Sequence, residues 1–227
     1  MDVYETEEQQ VEAIKTWWKD NYKMIVGAGV LVVGGILGSQ YYIENQRLMK
    51  EDASNNYQEI INAANEKQNE VISGRSEILT NTHKDSPYTV LSALIEAKML
   101  ADSEKFDEAI KKLSWVEFAS TDNAIKEVAF IRRMKIMMAQ GENEKSLSQI
   151  DLRLNEFAVK KKDPTKINNF SALLLEMKGD ILVALAKQEQ AIDAYDKAMG
   201  EALIAGGNTE ILRIKRNNLG MIEPKKP

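Results

Sequence analysis

Residues 178–199 read KGDILVALAKQEQAIDAYDKAM, and this stretch decides the fold. Its apolar residues follow the 3.6-residue period of amphipathic helices. Small residues stand at Gly179 and, twelve positions later, at Ala191, and Tyr195 and Ala198 follow. Small side chains let two helices approach closely, whereas large ones fill the joint between successive helix pairs. The stretch therefore predicts two helices packed as a hairpin.

The same spacing occurs twice more along the chain. Ala97 and Ala109 are also twelve residues apart, and Phe106 opens the segment FDEAI. In a third, degenerate unit Met134 and Ser146 replace the small residues. The pattern resembles the tetratricopeptide repeat. The second small positions are separated by 37 and then 45 residues, whereas the standard period is about 34 residues, so we expect an irregular solenoid.

Helical periodicity extends over almost the whole chain, without the alternation of strands, and predicts an all-α fold. The first helix is expected to run to about Ile72 and to stop at Ser73 and Gly74. The further predicted helices are 75–82, 86–101, 106–118, 122–140, 144–157, 164–187, 189–199 and 209–219. The short loops predict that consecutive helices are antiparallel neighbours. His83 falls in a polar segment and is interpreted as a solvated loop residue.

An uncharged apolar segment, residues 24–43, predicts one transmembrane helix. Twenty helical residues cross about 30 Å, the thickness of the hydrocarbon core. Aromatic residues, which favour the two membrane interfaces, flank the segment at both ends: Trp17, Trp18, Tyr22, Tyr41 and Tyr42.

Two other interpretations of this segment stay open. A cleaved signal peptide would need a basic start, but the preceding 23 residues contain six acids, and Leu37-Gly38-Ser39 is a weak cleavage site. A buried helix of a soluble protein would carry a polar face, which this segment lacks. A dinucleotide-binding loop at Gly27 and Gly29 is rejected because Val32 stands where the third glycine is needed.

Two features of the segment bear on its neighbours and its orientation. Gly34 and Gly38 form a GxxxG pattern, with Gly35 and Ser39 beside it, which could admit a second membrane helix, although glycine is common in such helices. Three lysines precede the segment and two basic residues follow it closely: Lys15, Lys19, Lys23, Arg47 and Lys50. The small excess predicts a cytoplasmic N-terminus.

The chain is thus divided into a short cytoplasmic amphipathic tail (1–23), the transmembrane helix (24–43), a helical connector (44–85), a repeat domain with a terminal capping helix (86–219) and a flexible tail (220–227). The chain carries 35 acidic and 30 basic residues. This balance disfavours nucleic acid as a partner.

The composition also bears on chemistry. With no cysteine and a single histidine, the chain offers no disulfide, no cysteine-type zinc site and no thiol nucleophile. No nucleotide-binding or hydrolase motif stands out. We therefore expect neither a cofactor nor a bound metal, and a protein that is not an enzyme.

The whole chain resembles the YfgM-type ancillary subunit of the bacterial SecYEG translocon. The resemblance is carried by Tyr4 and Glu5, by the segment QVEA at 10–13, by the glycine-rich span and by IKRNNL at 214–219. It implies a single-pass inner-membrane protein with a periplasmic domain. It also implies association with the translocon, with a membrane-anchored periplasmic chaperone of the peptidyl-prolyl isomerase type, and with newly exported polypeptides.

In repeats of this type the first helix of each pair lines a concave groove. The predicted groove residues are Leu91, Leu94, Lys98, Val128, Ile131, Lys135, Leu173, Glu176 and Asp180. An apolar groove with scattered charges suits a polypeptide segment or a partner helix. The sequence thus predicts a membrane-anchored adaptor or chaperone-like subunit. The alternative is a self-associating scaffold of another cell-envelope complex.

Overall fold

The computed structural model describes residues 7–160 and 170–220, and in these ranges it contains helices and no strand. The helices are α1 Glu7–Glu66, α2 Asn69–Thr82, α3 Pro87–Asp102, α4 Phe106–Ala119, α5 Asn123–Ala139, α6 Asn143–Lys160, α7 Ser171–Ala184, α8 Gln188–Ile204 and α9 Glu210–Gly220. The predicted all-α class is confirmed.

The chain divides into two compact units, Met1–Asn56 and Tyr57–Pro227. In its described part the first unit consists of α1 alone, and residues 27–50 are exposed throughout. Among the described residues, α1 is the one helix that is long and apolar enough to cross a membrane, and its most apolar stretch has no buried residue. A core helix of a soluble protein would bury this surface, so the buried-helix alternative is wrong.

In the second unit the helices from α2 to α9 pack against one another in chain order. Several turns between consecutive helices have the same geometry. The clearest example is at Gly141, between α5 and α6, whose backbone is left-handed with φ 79°. The Gly141 N–H donates to the Met138 carbonyl at 3.0 Å, and the Glu142 N–H donates to the Met137 carbonyl at 2.9 Å. These two bonds define the Schellman motif, which satisfies the last carbonyls of a helix. The same pair of bonds forms around Lys67, Glu104, Ala186 and Gly206.

These turns reveal a helix pair that the sequence analysis missed. Lys67, Glu104 and Gly141 are spaced 37 residues apart, so the end of α1 and helix α2 form a hairpin equivalent to α3–α4 and α5–α6. Ile60 and Ile72 are twelve residues apart and buried, like Ala97 and Ala109. Bulky isoleucines at the usual small positions concealed this pair.

The predicted end of the first helix at Ser73 and Gly74 was therefore wrong. The helix ends at Glu66, and α2 continues through Gly74, where a Cβ would meet no atom within 4 Å. The left-handed turn at Lys67 sets the break, because its hydrogen bonds close the last turn of α1. The division into five domains stays a prediction.

Side-chain capping places two helix starts where the sequence predicted them. Ser86 accepts a hydrogen bond from the Tyr88 N–H at 3.3 Å ahead of Pro87, and Asp122 accepts one from the Ala124 N–H at 2.7 Å. Other boundaries shift: α6 extends to Lys160 and α8 to Ile204, beyond their predicted ends. The predicted helix start at Pro164 and the tail at 221–227 lie outside the described residues.

The prediction that His83 is solvated was wrong, because this residue is 7% exposed. His83 follows the last residue of α2, and its carbonyl accepts a hydrogen bond of 2.6 Å from the buried Thr89 hydroxyl. The bond links the end of α2 to the start of α3. His83 and Thr89 therefore form a buried polar contact between α2 and α3 rather than part of a solvated loop.

The core runs along the solenoid as three apolar clusters. The first joins α3, α4 and α5, the second joins α5, α6 and α7, and the third joins α7, α8 and α9. Each cluster is shared by successive helix pairs, as expected where a single pair cannot bury its apolar face alone. The first helix of a pair is consequently held on two sides, which limits what its surface can offer to a partner.

Candidate functional site

Two helices approach each other closely at Gly179. A Cβ on this glycine would lie 2.6 Å from Cδ1 and 2.8 Å from Cζ of Tyr195. The Tyr195 ring is buried, and its hydroxyl donates to the Asp180 carboxylate at 2.7 Å. Burial and the bond to Asp180 raise the pKa of Tyr195. The ring therefore occupies the space that the missing side chain leaves between α7 and α8.

The other signature residues lie at equivalent places in the core. Ala97, Ala109, Ala191 and Ala198 are at most 1% exposed, and Phe106 is half-buried at the start of α4. Alanine at these positions permits close helix contact. Their proposed role is structural, and this burial supports it.

The predicted groove residues of α3 have unequal access to solvent. Leu94 is 7% exposed within the first core cluster, and Leu91 is half-buried against it. Lys98 is exposed and forms a surface ion pair with Asp102 at 2.7 Å. A partner on this helix would therefore reach Lys98 and the edge of Leu91.

The predicted groove residues of α5 follow the same order. Ile131 is buried in the second core cluster, Val128 is half-buried, and Lys135 is exposed. On α7, Leu173 packs partly against the same cluster. Lys98 and Lys135 are thus the most accessible residues of the predicted groove, and contact with a partner stays a prediction for all nine.

Two predicted groove residues of α7 are instead engaged by α9. Lys215 donates to the Glu176 carboxylate at 2.7 Å and to both oxygens of Asp180 at 2.8 Å. Burial lowers the pKa of Lys215, but the bonds and charges of the two carboxylates outweigh it and raise the pKa. The carboxylates hold the terminal helix on α7, so they are only partly available to a partner.

A network of charged side chains joins α4, α5 and α6 around the Phe130 ring. Arg133 donates from Nε to the Glu117 carboxylate at 2.6 Å. Arg153 donates to Glu127 at 3.0 Å and to Glu117 at 3.4 Å. The guanidinium carbons of Arg153 and Arg133 lie 4.5 Å and 5.3 Å from the ring centroid, within the range of cation–π interaction.

Glu127 is the most confined acid of this network. Its side chain is 10% exposed, and its second oxygen, Oε2, is buried with no hydrogen-bond partner. Burial raises the pKa of Glu127, and the Arg153 charge only partly opposes this. The sequence analysis missed the network because its members come from three helices and show no pattern along the chain.

The predicted packing face of the membrane segment is open. Gly34, Gly35 and Gly38 are exposed, and a Cβ added to any of them would meet no atom within 4 Å. The Ser39 hydroxyl donates to the Ile36 carbonyl of its own helix at 2.8 Å. The small residues thus leave space along α1, and packing against another membrane helix stays a prediction.

The described helix pairs, with small residues at their close contacts, define a helical-repeat protein, and this one also carries an exposed apolar helix. A family model described as a tetratricopeptide repeat-like domain matches residues 15–221, and the chain belongs to this family. The chain is also similar to proteins named ancillary SecYEG translocon subunit. The Haemophilus influenzae protein is 26% identical over 215 residues, which cover 94% of this chain and 97% of that protein.

The Escherichia coli K12 protein of the same name is 23% identical over 221 residues, covering 97% of this chain and all of that protein. The Neisseria gonorrhoeae protein is 24% identical over 219 residues, covering 94% and 97%. The resemblance drawn from the end segments, the span and the repeats is confirmed by these relatives.

Proposed function

We propose that this chain is an inner-membrane adaptor of the Sec translocon whose repeat domain lies in the periplasm. There it would bind exported polypeptides or a membrane-anchored chaperone of the peptidyl-prolyl isomerase type. The observation that carries the proposal is an exposed apolar helix and a binding-type repeat domain in one chain. The name of its relatives, an ancillary subunit of SecYEG, supports the choice of partner.

The mechanism that we propose is local concentration rather than catalysis. An anchor in the membrane of the translocon holds the repeat surface near emerging chains. Confinement of this kind raises the effective concentration to the millimolar range, so a weak intrinsic affinity suffices. The accessible groove residues, Lys98 and Lys135, lie on α3 and α5, and the same helices carry the half-buried Leu91 and Val128. Such a surface suits a segment that is partly apolar and partly acidic.

Photocrosslinking in cells tests the binding surface. A photoreactive amino acid at Lys98 or Lys135 is expected to capture translocon subunits, the chaperone or exported chains. The matched control is Lys111, which is equally a surface lysine but lies on α4, the second helix of its pair. Equal capture of the same partners from position 111 would contradict binding through the first helices.

Single-cysteine labelling tests the orientation, because the natural chain has no cysteine. A membrane-impermeant maleimide applied to spheroplasts is expected to label Lys111→Cys and to leave Glu12→Cys unlabelled until the membrane is opened. The reverse result would place the repeat domain in the cytoplasm. A mature protein that begins after Tyr42 would instead favour a cleaved signal peptide.

A further inference from the structure

One side of α9 packs on the repeat domain and the other is exposed, which distinguishes α9 from α3, α5 and α7. Each of α3, α5 and α7 packs between the helix before it and the helix after it. α9 packs on α8 and is held to α7 by Lys215, and no described helix covers its other side. Leu212 and Leu219 face the α7–α8 pair, and Arg216 bonds to Asp196 of α8 at 3.2 Å. α9 therefore occupies the place of the first helix of a fifth pair, and its outer side is open in the described part of the chain.

The open side of α9 is apolar at its centre. Ile211 is 68% exposed and Ile214 is 54% exposed. Leu203 and Ile204, at the end of α8, add two more exposed aliphatic side chains.

The charges on the open side are unpaired within the described part of the chain. Glu210 and Arg213 are both exposed and lie one helical turn apart, beside Ile211 and Ile214. In an antiparallel pairing of two α9 helices about a two-fold axis, Ile211 of one copy faces Ile214 of the other. The same register brings Glu210 within about 3 Å, along the axis, of the position opposite Arg213 of the partner copy.

We propose that the open side of α9 binds α9 of a second copy of this chain in this antiparallel register. The face is complementary to itself, since apolar residues meet apolar residues and the two-fold axis produces two Glu210–Arg213 pairs, one for each copy of Glu210. Each α9 then covers the open side of the other. Two copies anchored in one membrane need only a small interface, because anchoring raises their effective concentration.

Disulfide crosslinking of the full chain tests the register. Copies carrying Ile211→Cys and differently tagged copies carrying Ile214→Cys are co-produced and oxidised in membranes. The mixed 211–214 dimer is expected to exceed either same-site dimer several-fold. The control is Phe118→Cys, which is more exposed at 88% but lies on α4. Equal yield at position 118, or adducts with a different protein in place of the dimer, would overturn the proposal.

Charge exchange tests the pairing independently of crosslinking. Glu210→Arg or Arg213→Glu alone is expected to raise the dimer dissociation constant roughly tenfold, because two exposed ion pairs are replaced by repulsion. The double variant Glu210→Arg/Arg213→Glu is expected to restore the dimer. Energy transfer between labelled full-length copies in detergent micelles measures the constants. A monomeric natural chain, or a double variant as weak as the single ones, would contradict the proposal.

Discussion

At the scale of single residues, close contacts and turn geometry decide which side chains the fold accepts. Gly179 is glycine because the Tyr195 ring fills the space of its Cβ. Lys67, Glu104 and Ala186 are left-handed although none is glycine. The left-handed conformation costs residues other than glycine about 1–2 kcal/mol, and the Schellman hydrogen bonds at these turns compensate for that cost.

Replacing Gly179 with alanine is expected to destabilise the protein by about 1–3 kcal/mol, the usual cost of overpacking a core. The Tyr195 ring cannot move aside without losing its bond to Asp180. Urea unfolding of the full chain in detergent measures the loss. In a Tyr195→Ala background the same substitution should cost almost nothing, and an equal loss in both backgrounds would refute the contact.

Replacing Ala186, with φ 57°, by glycine is expected to stabilise the protein by about 0.5–1 kcal/mol. Relief of the left-handed strain exceeds the extra freedom that glycine gives to the unfolded chain. Gly141→Ala should cost a similar amount in the opposite direction. The control Ala158→Gly, at an exposed position of α6, should destabilise. Thermal unfolding compares the three, and a loss of stability in Ala186→Gly would contradict the strain.

At the scale of helices, charged side chains connect neighbouring helices and add to the apolar contacts between them. The Arg133 and Arg153 network joins α5 and α6 to α4 across the Phe130 ring. Lys215 performs the same task between α9 and α7. Such joints confine the angle between successive pairs, and this angle shapes the surface available to a partner.

Glu127→Gln is expected to change how stability depends on pH. The folded-state pKa of Glu127 is raised by burial, so between its unfolded and folded pKa values the folded protein holds the extra proton. Stability from this group is therefore greatest below the unfolded pKa, about 4.3, and is lost as pH rises through the folded pKa. The natural chain should lose stability relative to Glu127→Gln across this window. Urea midpoints from pH 4 to pH 7 measure the difference, and a constant difference would contradict the shift.

At the scale of the whole molecule, an uncharged and exposed apolar segment of α1, the candidate membrane span, precedes the repeat domain. The segment 24–43 has no core to enter among the described residues, so its apolar side chains favour lipid. The repeat domain buries its own apolar residues in three shared clusters. The two parts thus differ in where their apolar side chains lie, exposed in the candidate span and buried in the repeat domain.

Two charges in the span, Val30→Glu with Val33→Glu, are expected to weaken membrane insertion by about 2.5–3.5 kcal/mol each. The protein should then be partly extracted from membranes by alkaline carbonate. The matched control is Phe118→Glu with Val159→Glu, two residues exposed on the repeat domain at 88% and 85%. Equal extraction of both double variants would indicate that the span does not hold the protein in lipid.

Several features could be predicted from neighbouring residues alone. The capped starts at Ser86 and Asp122, the uncharged span, and the small pairs Ala97/Ala109 and Gly179/Ala191 all have local signatures. The hairpin of Ile60 and Ile72 had none, because its helices tolerate large residues where the others need small ones. The buried place of His83 depends on Thr89 and on the turn between two helices.

The sequence by itself determined the helical class, the candidate membrane segment and the family resemblance, because period, length and small-residue spacing are properties of consecutive residues. Only the tertiary structure decided that Glu176 and Asp180 hold α9, that Arg133 and Arg153 lie over the Phe130 ring, and that α9 has an open apolar side. These facts depend on which helices pack side by side. That choice is made by shared burial between distant segments, and local pattern does not record it.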